Sequence, residues 1–195
     1  MHEDWSDERL MLAYRDGDAG AFETLYGRYR GALHRYLAHQ CGNMAFAEEL
    51  YQDIWIKVVN ARADYEPLAK FSTWIFRIAH HRLLDHYRKS APEAALRFEA
   101  HGTADGPDID DFITRQAAPA HETPHAQHER HDTAQRIGLA LAELPAPQRE
   151  AFLLAEEGGL SLEEIANATA SSRETSKSRL RYALTKLRYS LQDLL

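Results

Sequence analysis

Hydroxyl and guanidinium side chains near the C-terminus have the chemistry to bind phosphate and to read base edges. The segment SLEE at 161–164 has the form of a capping box and begins a short helix, which a turn of small residues ends. Ser172 can cap a second helix that runs from Arg173 to about Leu194. At about 100° per residue, one arc of this helix is apolar. The opposite arc is polar and consists of Thr175, Ser178, Arg179, Arg181 and Tyr182, with Glu174 and Lys177 at its edges. The pattern predicts a helix-turn-helix whose second helix enters the major groove; a helical hairpin with a charged outer face is the alternative.

A second cationic helix is predicted between Lys70 and Lys89. Its apolar arc is formed by Ile75, Phe76, Ala79, Leu83 and Tyr87. The other side carries Lys70, Trp74, Arg77, His81 and Arg88. An aromatic ring among cations suits single-stranded or melting nucleic acid, because an exposed base can stack on the ring. The alternative is that Trp74 is half-buried in the core and the arginines are solvated.

The charge of the chain is unevenly distributed. The formal net charge is -7, yet residues 67–92 and residues 173–195 each carry +4. The remaining segments are acidic, and residues 93–132 alone carry -6. This distribution predicts two separate contacts with nucleic acid and an acidic remainder that contacts another partner.

Helical periodicity fills the chain on both sides of one irregular stretch. Apolar residues recur at three- and four-residue steps from Asp18 to Gln40, from about Ala45 to Ala61 and from about Ser72 to Lys89. Helical periodicity returns at Thr133 and is broken at 144–147 and at 158–159. No strand-like alternation occurs. The sequence therefore predicts an all-α protein of two small helical domains, an N-terminal helical bundle at 1–92 and a C-terminal helix-turn-helix domain at 133–195.

The irregular stretch at 93–132 is predicted to be a flexible linker that is acidic and rich in histidine. It holds five histidines and several prolines, and no period of 2 or 3.6 persists in it. His125, His128 and His131 are spaced by three and could bind a metal if this stretch were helical, but a solvated linker is favoured.

Several classes of protein are excluded by the composition. No segment approaches the ~18 apolar residues of a membrane-spanning helix, so we expect no membrane insertion. The single cysteine, Cys41, cannot form an internal disulfide, which fits a reducing cytoplasm. A metalloenzyme using His80, His81, Asp85 and His86 would need Glu-x-x-His pairs on facing helices, and Glu48 and Glu49 have no such partner. We therefore expect no metal, no cofactor and no catalytic activity.

Three stretches resemble the extracytoplasmic-function (ECF) sigma factors of bacterial RNA polymerase. AEELYQDIWIKV at 47–58 resembles the helix of that family that binds core polymerase. FSTWIFRIA at 71–79 and LDHYR at 84–88 resemble its promoter-melting segment. LPAPQREAF at 144–152, SLEEIA at 161–166 and TSKSRL at 175–180 resemble its C-terminal domain. Their order and spacing together are more specific than any one of them.

The resemblance implies an alternative sigma factor that binds core RNA polymerase and directs promoter-specific transcription initiation. The clamp of the largest polymerase subunit would be bound by Glu48, Glu49, Gln52, Asp53 and Trp55. The minus-ten element would be bound by Lys70, Phe71, Ser72, Trp74, Arg77, His80, His81, Arg88 and Lys89. The minus-thirty-five element would be read by Ser172, Arg173, Glu174, Thr175, Lys177, Ser178, Arg179, Arg181 and Tyr182. The flap of the second-largest subunit and an anti-sigma protein are further partners that the family implies.

Some residues depart from the family pattern. His81 stands where many members have Asn, and Glu174 and Ser176 replace the frequent Gly and Val. Ala170 replaces the glycine of the turn. An unusual promoter sequence is therefore expected. The rival function is a stand-alone helix-turn-helix regulator, but such proteins usually dimerise on palindromes and no obvious dimerisation helix is present.

Overall fold

The computed structural model describes residues 2–90 and 124–194, and within them the backbone forms eight α-helices, one 3-10 helix and no strand. The side chains of residues 90 and 124–132 are not described. The first part contains α1 (Asp7–Arg15), α2 (Ala19–Cys41), α3 (Met44–Asn60), a 3-10 helix (Ala61–Asp64) and α4 (Phe71–Ser90). The second part contains α5 (Pro124–Ala142), α6 (Ala146–Glu156), α7 (Leu162–Ala168) and α8 (Arg173–Ser190). The all-α prediction is confirmed.

Two helical segments differ from the sequence-based expectation. Helix α1 was not predicted; it buries Leu10, Met11 and Tyr14 and is too short for a periodic pattern to accumulate. Helix α5 begins at Pro124 and not near Thr133, so the backbone of the last nine residues of the predicted linker is helical. The other residues of the predicted linker, 93–123, lie outside the described residues.

Side-chain caps begin five of the helices. Ser6, Asp18, Asn43, Ser161 and Ser172 each accept a hydrogen bond from the backbone N–H three residues further on. At Ser161 the predicted capping box is complete, because the Glu164 side chain also accepts from the Ser161 N–H. Gly42 ends α2 in the left-handed conformation with φ of 62°. Local sequence therefore determines where these helices begin and where α2 ends.

The first domain packs α1 to α4 around an apolar core. Its largest fully buried side chains include Leu10, Leu25, Tyr36, Ile54 and Phe71. In the second domain, α6, α7 and α8 enclose Ala151, Leu162, Leu180 and Leu184. The short α7, the turn at 169–172 and α8 form the predicted helix-turn-helix.

The two domains lie against each other, and their apolar cores are continuous. Helix α4 packs on α7, and α2 packs on α6. Phe76 of α4 is fully buried and lies beside Gly158, where an added Cβ would be 3.2 Å from Phe76 Cδ2. Leu154, Leu160 and Ile165 of the second domain belong to the same buried cluster as the core of the first domain. Packing between the domains therefore affects how exposed the predicted binding residues are.

Candidate nucleic-acid interface

The outer face of α3 presents an acidic row. Its inner face buries Leu50, Ile54 and Val58, and this orientation leaves Glu48, Glu49 and Gln52 exposed, as the sequence predicts. Gln52 Nε2 donates to Glu48 Oε1 at 3.3 Å. Two turns after Glu48, Ile56 is 56% exposed on the same face. The row therefore combines carboxylates with an accessible apolar side chain, which the sequence-based prediction had not included.

Two residues predicted for this face have other positions. Asp53 forms an ion pair with Arg82 of α4, so it joins two helices of the same domain. Trp55 is buried, with its ring 4.8 Å from Tyr26 and 5.9 Å from Phe22 between centroids. Trp55 is therefore packed in the core of the free protein, and its role as a polymerase contact stays a prediction. Phe22 and Tyr26 of α2 cover its ring, although Trp55 lies two turns after the exposed Glu48.

Helix α4 exposes part of its predicted cationic stripe. Arg77, His81, Arg88 and Lys89 are exposed, and Ser72 is partly exposed. Burial lowers the pKa of His81, and the neighbouring His80, Arg77 and Lys57 charges lower it further. His81 is therefore neutral at neutral pH. Lys57 of α3 adds a cation to this face that a single-helix wheel could not reveal.

The aromatic residues at the start of α4 are less accessible than predicted. Phe71 is fully buried, and its backbone N–H donates to Glu8 of α1 at 2.8 Å. Trp74 is half-buried against Tyr65 and Phe71, with centroid distances of 5.2 and 5.5 Å. Phe71 is thus corrected to a core residue, while the remaining surface of Trp74 fits the alternative of a half-buried ring.

Two more residues that the resemblance assigned to the minus-ten element contact the second domain. Lys70 Nζ lies 2.9 Å from Glu164 Oε1 of α7. His80 is only 5% exposed, and its Nδ1 lies 2.7 Å from Glu150 Oε1 of α6. His80 is therefore corrected from a surface position to a buried contact between the domains.

Glu150 is the centre of a buried polar cluster that sequence reasoning missed. It is fully buried, and the Tyr36 hydroxyl of α2 donates to its Oε1 at 2.7 Å. Burial lowers the pKa of His80, but the Glu150 carboxylate outweighs that effect and raises it above its ordinary value. Burial and the same carboxylate raise the pKa of Tyr36. Glu150 follows Pro147 by three positions at the start of a helix, where an exposed acid is common, so nothing in the sequence marks it as buried.

Polar contacts surround this cluster. Arg35 of α2 pairs with Glu157 at 2.7 Å. Arg149 donates to Gln40 Oε1 at 3.3 Å and to the Gln40 carbonyl at 3.4 Å. The Tyr87 hydroxyl donates to that same carbonyl at 2.8 Å. The contact between the domains is therefore polar at its margin as well as at Glu150.

Only some of the α8 residues predicted to contact DNA are exposed in the structure. Arg173, Glu174 and Tyr182 are exposed, Thr175 and Lys177 are partly exposed, and Ser172 caps the helix. Ser178, Arg179 and Arg181 are each less than a tenth exposed. Burial lowers the pKa of the Arg179 guanidinium, and the Glu150 charge acts against that effect. The exposure predicted for these three residues is corrected: a wheel considers one helix alone, whereas other parts of the chain cover this side.

Two family models match the chain, one in each of the two domains. Residues 25–93 match the family model described as Sigma-70 region 2, and residues 134–187 match Sigma-70, region 4. The RNA polymerase sigma factor CarQ of Myxococcus xanthus is 31% identical, over 94% of this chain and 97% of its own. The ECF RNA polymerase sigma factor RpoE of Cereibacter sphaeroides is 33% identical, over 92% and 91%.

Solved structures share the fold. CnrH, determined in complex with the cytosolic domain of CnrY, has a TM-score of 0.62 at 22% identity and covers 96% of this chain and 97% of its own. RpoE of Bartonella quintana, determined in complex with the anti-sigma factor NepR, has a TM-score of 0.62 at 22% identity over 88% and 96%.

The chain belongs to the ECF group of the sigma-70 family. It is an alternative sigma factor that binds core RNA polymerase and promoter DNA and directs promoter-specific transcription initiation; it is not an enzyme. The alternative of a stand-alone regulator is set aside, because both sigma regions are present in order. In the described ranges, none of the helices combines the length and apolar character required to cross a bilayer. The same ranges contain no group of three or more His, Cys, Asp or Glu placed to hold a metal.

Proposed function

We propose that the two domains divide promoter recognition between them. The first domain, residues 1–92, binds the clamp of the largest polymerase subunit through Glu48, Glu49 and Gln52 and engages the minus-ten element through α4. The second domain, residues 133–195, reads the minus-thirty-five element through α8 and contacts the flap of the second-largest subunit. Residues 93–132 connect them, and the protein acts in the cytoplasm.

The observation that carries the polymerase-binding proposal is the exposed acidic row of α3. Its three polar members are exposed and lie on one helix. Opposite charge across an interface accelerates encounter and fixes register, and an accessible apolar residue such as Ile56 adds buried area. Asp53 is omitted from the contact set because it already pairs with Arg82.

Charge reversal in this row tests the assignment. We expect Glu49→Lys to weaken binding to reconstituted core polymerase at least tenfold, equivalent to about 1.4 kcal/mol, since a like charge then faces the basic partner surface. Fluorescence anisotropy with labelled protein measures the affinity, and circular dichroism verifies that the helices are intact. Glu23→Lys, at an exposed carboxylate of α2, is the matched control and should bind as the wild type does. Equal affinities of the two variants would refute the assignment.

The promoter contacts are proposed for the cations that each helix carries and for the polar residues beside them. On α4 the cations are Lys70, Arg77, Arg88 and Lys89, and Ser72, His80, His81 and the accessible part of Trp74 lie beside them. On α8 they are Arg173, Lys177, Arg179 and Arg181, with Ser172, Glu174, Thr175, Ser178 and Tyr182. Glu174 can accept from a cytosine amino group, so a promoter with cytosine near this position is expected. Selection from a randomised promoter library by run-off transcription determines the preferred sequence.

An anti-sigma protein is proposed as a further partner. Both solved relatives were determined as complexes, one with the cytosolic domain of CnrY and one with the anti-sigma factor NepR. Purification of the tagged full chain from its native host under gentle conditions, followed by identification of bound proteins, tests this proposal.

A further inference from the structure

The turn between α7 and α8 is crossed by a continuous series of hydroxyl contacts. Thr169 Oγ1 donates to the Ile165 carbonyl of α7 at 2.8 Å. Thr169 Oγ1 and Ser171 Oγ lie 3.0 Å apart, and Ser171 Oγ lies 3.0 Å from Ser176 Oγ of α8. We call the side chains of Thr169, Ser171 and Ser176 the hydroxyl chain. It connects the main chain of the first helix of the helix-turn-helix to the second helix.

The direction of each hydrogen bond in the hydroxyl chain follows from the number of hydrogens available. A hydroxyl group has one hydrogen to donate and two lone pairs with which to accept. Because Thr169 gives its hydrogen to the Ile165 carbonyl, its oxygen can only accept from Ser171. Ser171 has then used its hydrogen, so Ser176 donates to Ser171. The other acceptor beside Ser171, the Ser172 carbonyl, is more distant at 3.4 Å.

Ser176 is the member of the hydroxyl chain that most needs its partner. Its side chain is fully buried on the inner side of α8, one turn before the fully buried Leu180. A buried hydroxyl group is costly unless it forms a hydrogen bond. The valine that is frequent in the family at this position would need none. The serine therefore gives up apolar packing and is satisfied through Ser171 instead.

The hydroxyl chain spans a stretch of strained backbone. Ala170 lies between Thr169 and Ser171 and has φ of 50°, a conformation that is unfavourable for a residue with a Cβ. Two main-chain hydrogen bonds hold the same turn, from Thr169 N to the Ile165 carbonyl at 2.9 Å and from Ser171 N to the Ala166 carbonyl at 3.0 Å. Strained backbone persists where its surroundings over-determine the conformation. The hydroxyl chain is a further constraint of this kind.

The conformation of the turn determines where the promoter-facing end of α8 lies. Ser172 directly follows the turn and caps α8 by accepting from Thr175 N at 3.0 Å. In a helix-turn-helix, the N-terminal residues of the second helix contact base edges. Hydrogen bonds to those edges tolerate changes of only a few tenths of an ångström. A small change in the turn therefore alters which bases the start of α8 can read.

We propose that the hydroxyl chain is a positioning device for promoter recognition. Thr169, Ser171 and Ser176 act on promoter choice through the position of α8: they fix the angle at which it enters the major groove, and so determine which bases are preferred in the minus-thirty-five element. The proposal rests on the reading of that element by α8, as proposed above.

Thermal unfolding tests whether the hydroxyls act as one unit. Ser171→Ala leaves the buried Ser176 hydroxyl without its acceptor, whereas Ser171→Ala combined with Ser176→Ala removes both groups. Leaving one partner buried and unpaired costs more than removing both. We expect Ser171→Ala to lower the Tm by about 2–4 °C, and the double variant to lower it by no more than that. A loss in the double variant equal to the sum of the two single losses would overturn the proposal.

Thr169 provides the sharpest pair of variants for promoter recognition. Thr169→Val removes the hydroxyl and keeps the shape of the side chain, whereas Thr169→Ser keeps the hydroxyl and removes the methyl group. Run-off transcription with core polymerase, from a library randomised in both promoter elements, measures the base preference at each position. We expect Thr169→Val to change preferences in the minus-thirty-five element at least threefold and to leave those in the minus-ten element unchanged. Thr169→Ser should select the wild-type sequence in both elements.

A matched control distinguishes positioning from loss of stability. Ile165→Val removes one buried methyl group from the second domain and leaves the carbonyl that accepts from Thr169 in place. We expect it to lower the Tm by a similar amount without changing base preferences, because the molecules that remain folded read DNA as before. A Thr169→Val protein that transcribes less but selects the wild-type minus-thirty-five sequence would contradict the proposal. An equal change of preference in Ile165→Val would contradict it as well.

Arg173→Ala separates this proposal from the assignment of DNA contacts. Arg173 is exposed at the first position of α8 and is one of the proposed contacts. If Arg173→Ala and Thr169→Val both leave the minus-thirty-five preference unchanged, the reading of that element by α8 is wrong, and the positioning proposal fails with it. If Arg173→Ala alters the preference and Thr169→Val does not, the positioning proposal alone is wrong.

Discussion

Trp55 illustrates how a residue inside a recognised motif can have a structural role. It lies in the segment that resembles the polymerase-binding helix, yet its ring packs among Phe22, Tyr26 and Tyr51. Glu48, Glu49 and Gln52 of the same helix are exposed, although Trp55 lies only two turns after Glu48. Membership of a motif therefore does not define a contact, because the helices packed alongside also decide which side chains are accessible.

Substitutions of Trp55 distinguish a role in core packing from a role in polymerase binding. We expect Trp55→Ala to reduce the free energy of unfolding by about 3 kcal/mol, because a large buried aromatic side chain is lost. Urea denaturation followed by circular dichroism measures this change. Trp55→Phe keeps most of the packing and should bind core polymerase as the wild type does. A Trp55→Ala variant with unchanged stability and lost polymerase binding would show that the indole is a direct contact.

At the residue scale, the sequence predicted chemistry better than exposure. The carboxylates of α3 and the side chains of Arg77, His81 and Arg173 are exposed as expected. His80 and Arg179 are buried, because a helical wheel considers one helix and not the elements packed on it. His80 contacts Glu150 of the other domain, and Glu150 has no local signal in the sequence.

At the scale of elements, local signals were reliable where they were strong. The capping box at Ser161, the cap at Ser172 and the break near Pro145 all lie where the sequence places them. Helix α1 was missed because nine residues give few repeats of a period. The start of α5 was missed because Pro124 was interpreted as a linker residue, whereas proline is favoured in the first turn of a helix.

The turn of the helix-turn-helix stores backbone strain. Ala170 has φ of 50°, the only positive value at a non-glycine residue in the described ranges. Left-handed backbone costs an L-residue with a Cβ roughly 1–2 kcal/mol, while glycine loses more conformational freedom on folding. We expect Ala170→Gly to stabilise the protein by up to about 1 kcal/mol, measured by urea denaturation. Ala142→Gly, near the end of α5, is the control and should destabilise it; a loss of stability in Ala170→Gly would contradict the strain.

At the scale of the whole molecule, the contact between domains determines which surfaces are available. The sequence predicted two domains and placed the basic segments in different ones. It gave no indication that the domains would pack together, because the polar part of the interface uses Arg35, Gln40, Glu150 and Glu157, which are residue types typical of a solvated surface. Its apolar part, which includes Phe76 and Leu160, lies on helices and turns whose apolar residues were assigned to the core of each domain. Amphipathic patterns identify what a helix buries within its domain but not which polar face meets another domain.

The contact between the two domains should depend on pH through His80. The pKa of His80 is raised while the domains are in contact, because the effect of the Glu150 carboxylate outweighs that of burial. The resulting stabilisation is present below the ordinary histidine pKa of about 6.5 and is lost as pH rises through the raised value. The described groups near His80 include Tyr36 of α2, Glu150 of α6, Arg179 of α8, and His81 and Arg88 of α4.

Small-angle X-ray scattering at two pH values measures this dependence. We expect the wild-type protein to be more compact at pH 6 than at pH 8. His80→Gln, which keeps a hydrogen-bond donor but does not titrate, should show a smaller difference between the two conditions. An equal difference in both proteins would mean that another group is responsible.

The pairing of cations between the domains has a consequence for how the protein searches the genome. Chromosomal DNA offers on the order of 10⁶–10⁹ competing non-specific sites, and unpaired cations would retain a protein on them. We expect a chain with net charge -7, whose Lys70 is paired with Glu164 and whose His80 is paired with Glu150, to be held less by that excess of DNA than a chain in which both are accessible. Its supply to polymerase would then depend more on its own concentration than on the amount of DNA in the cell.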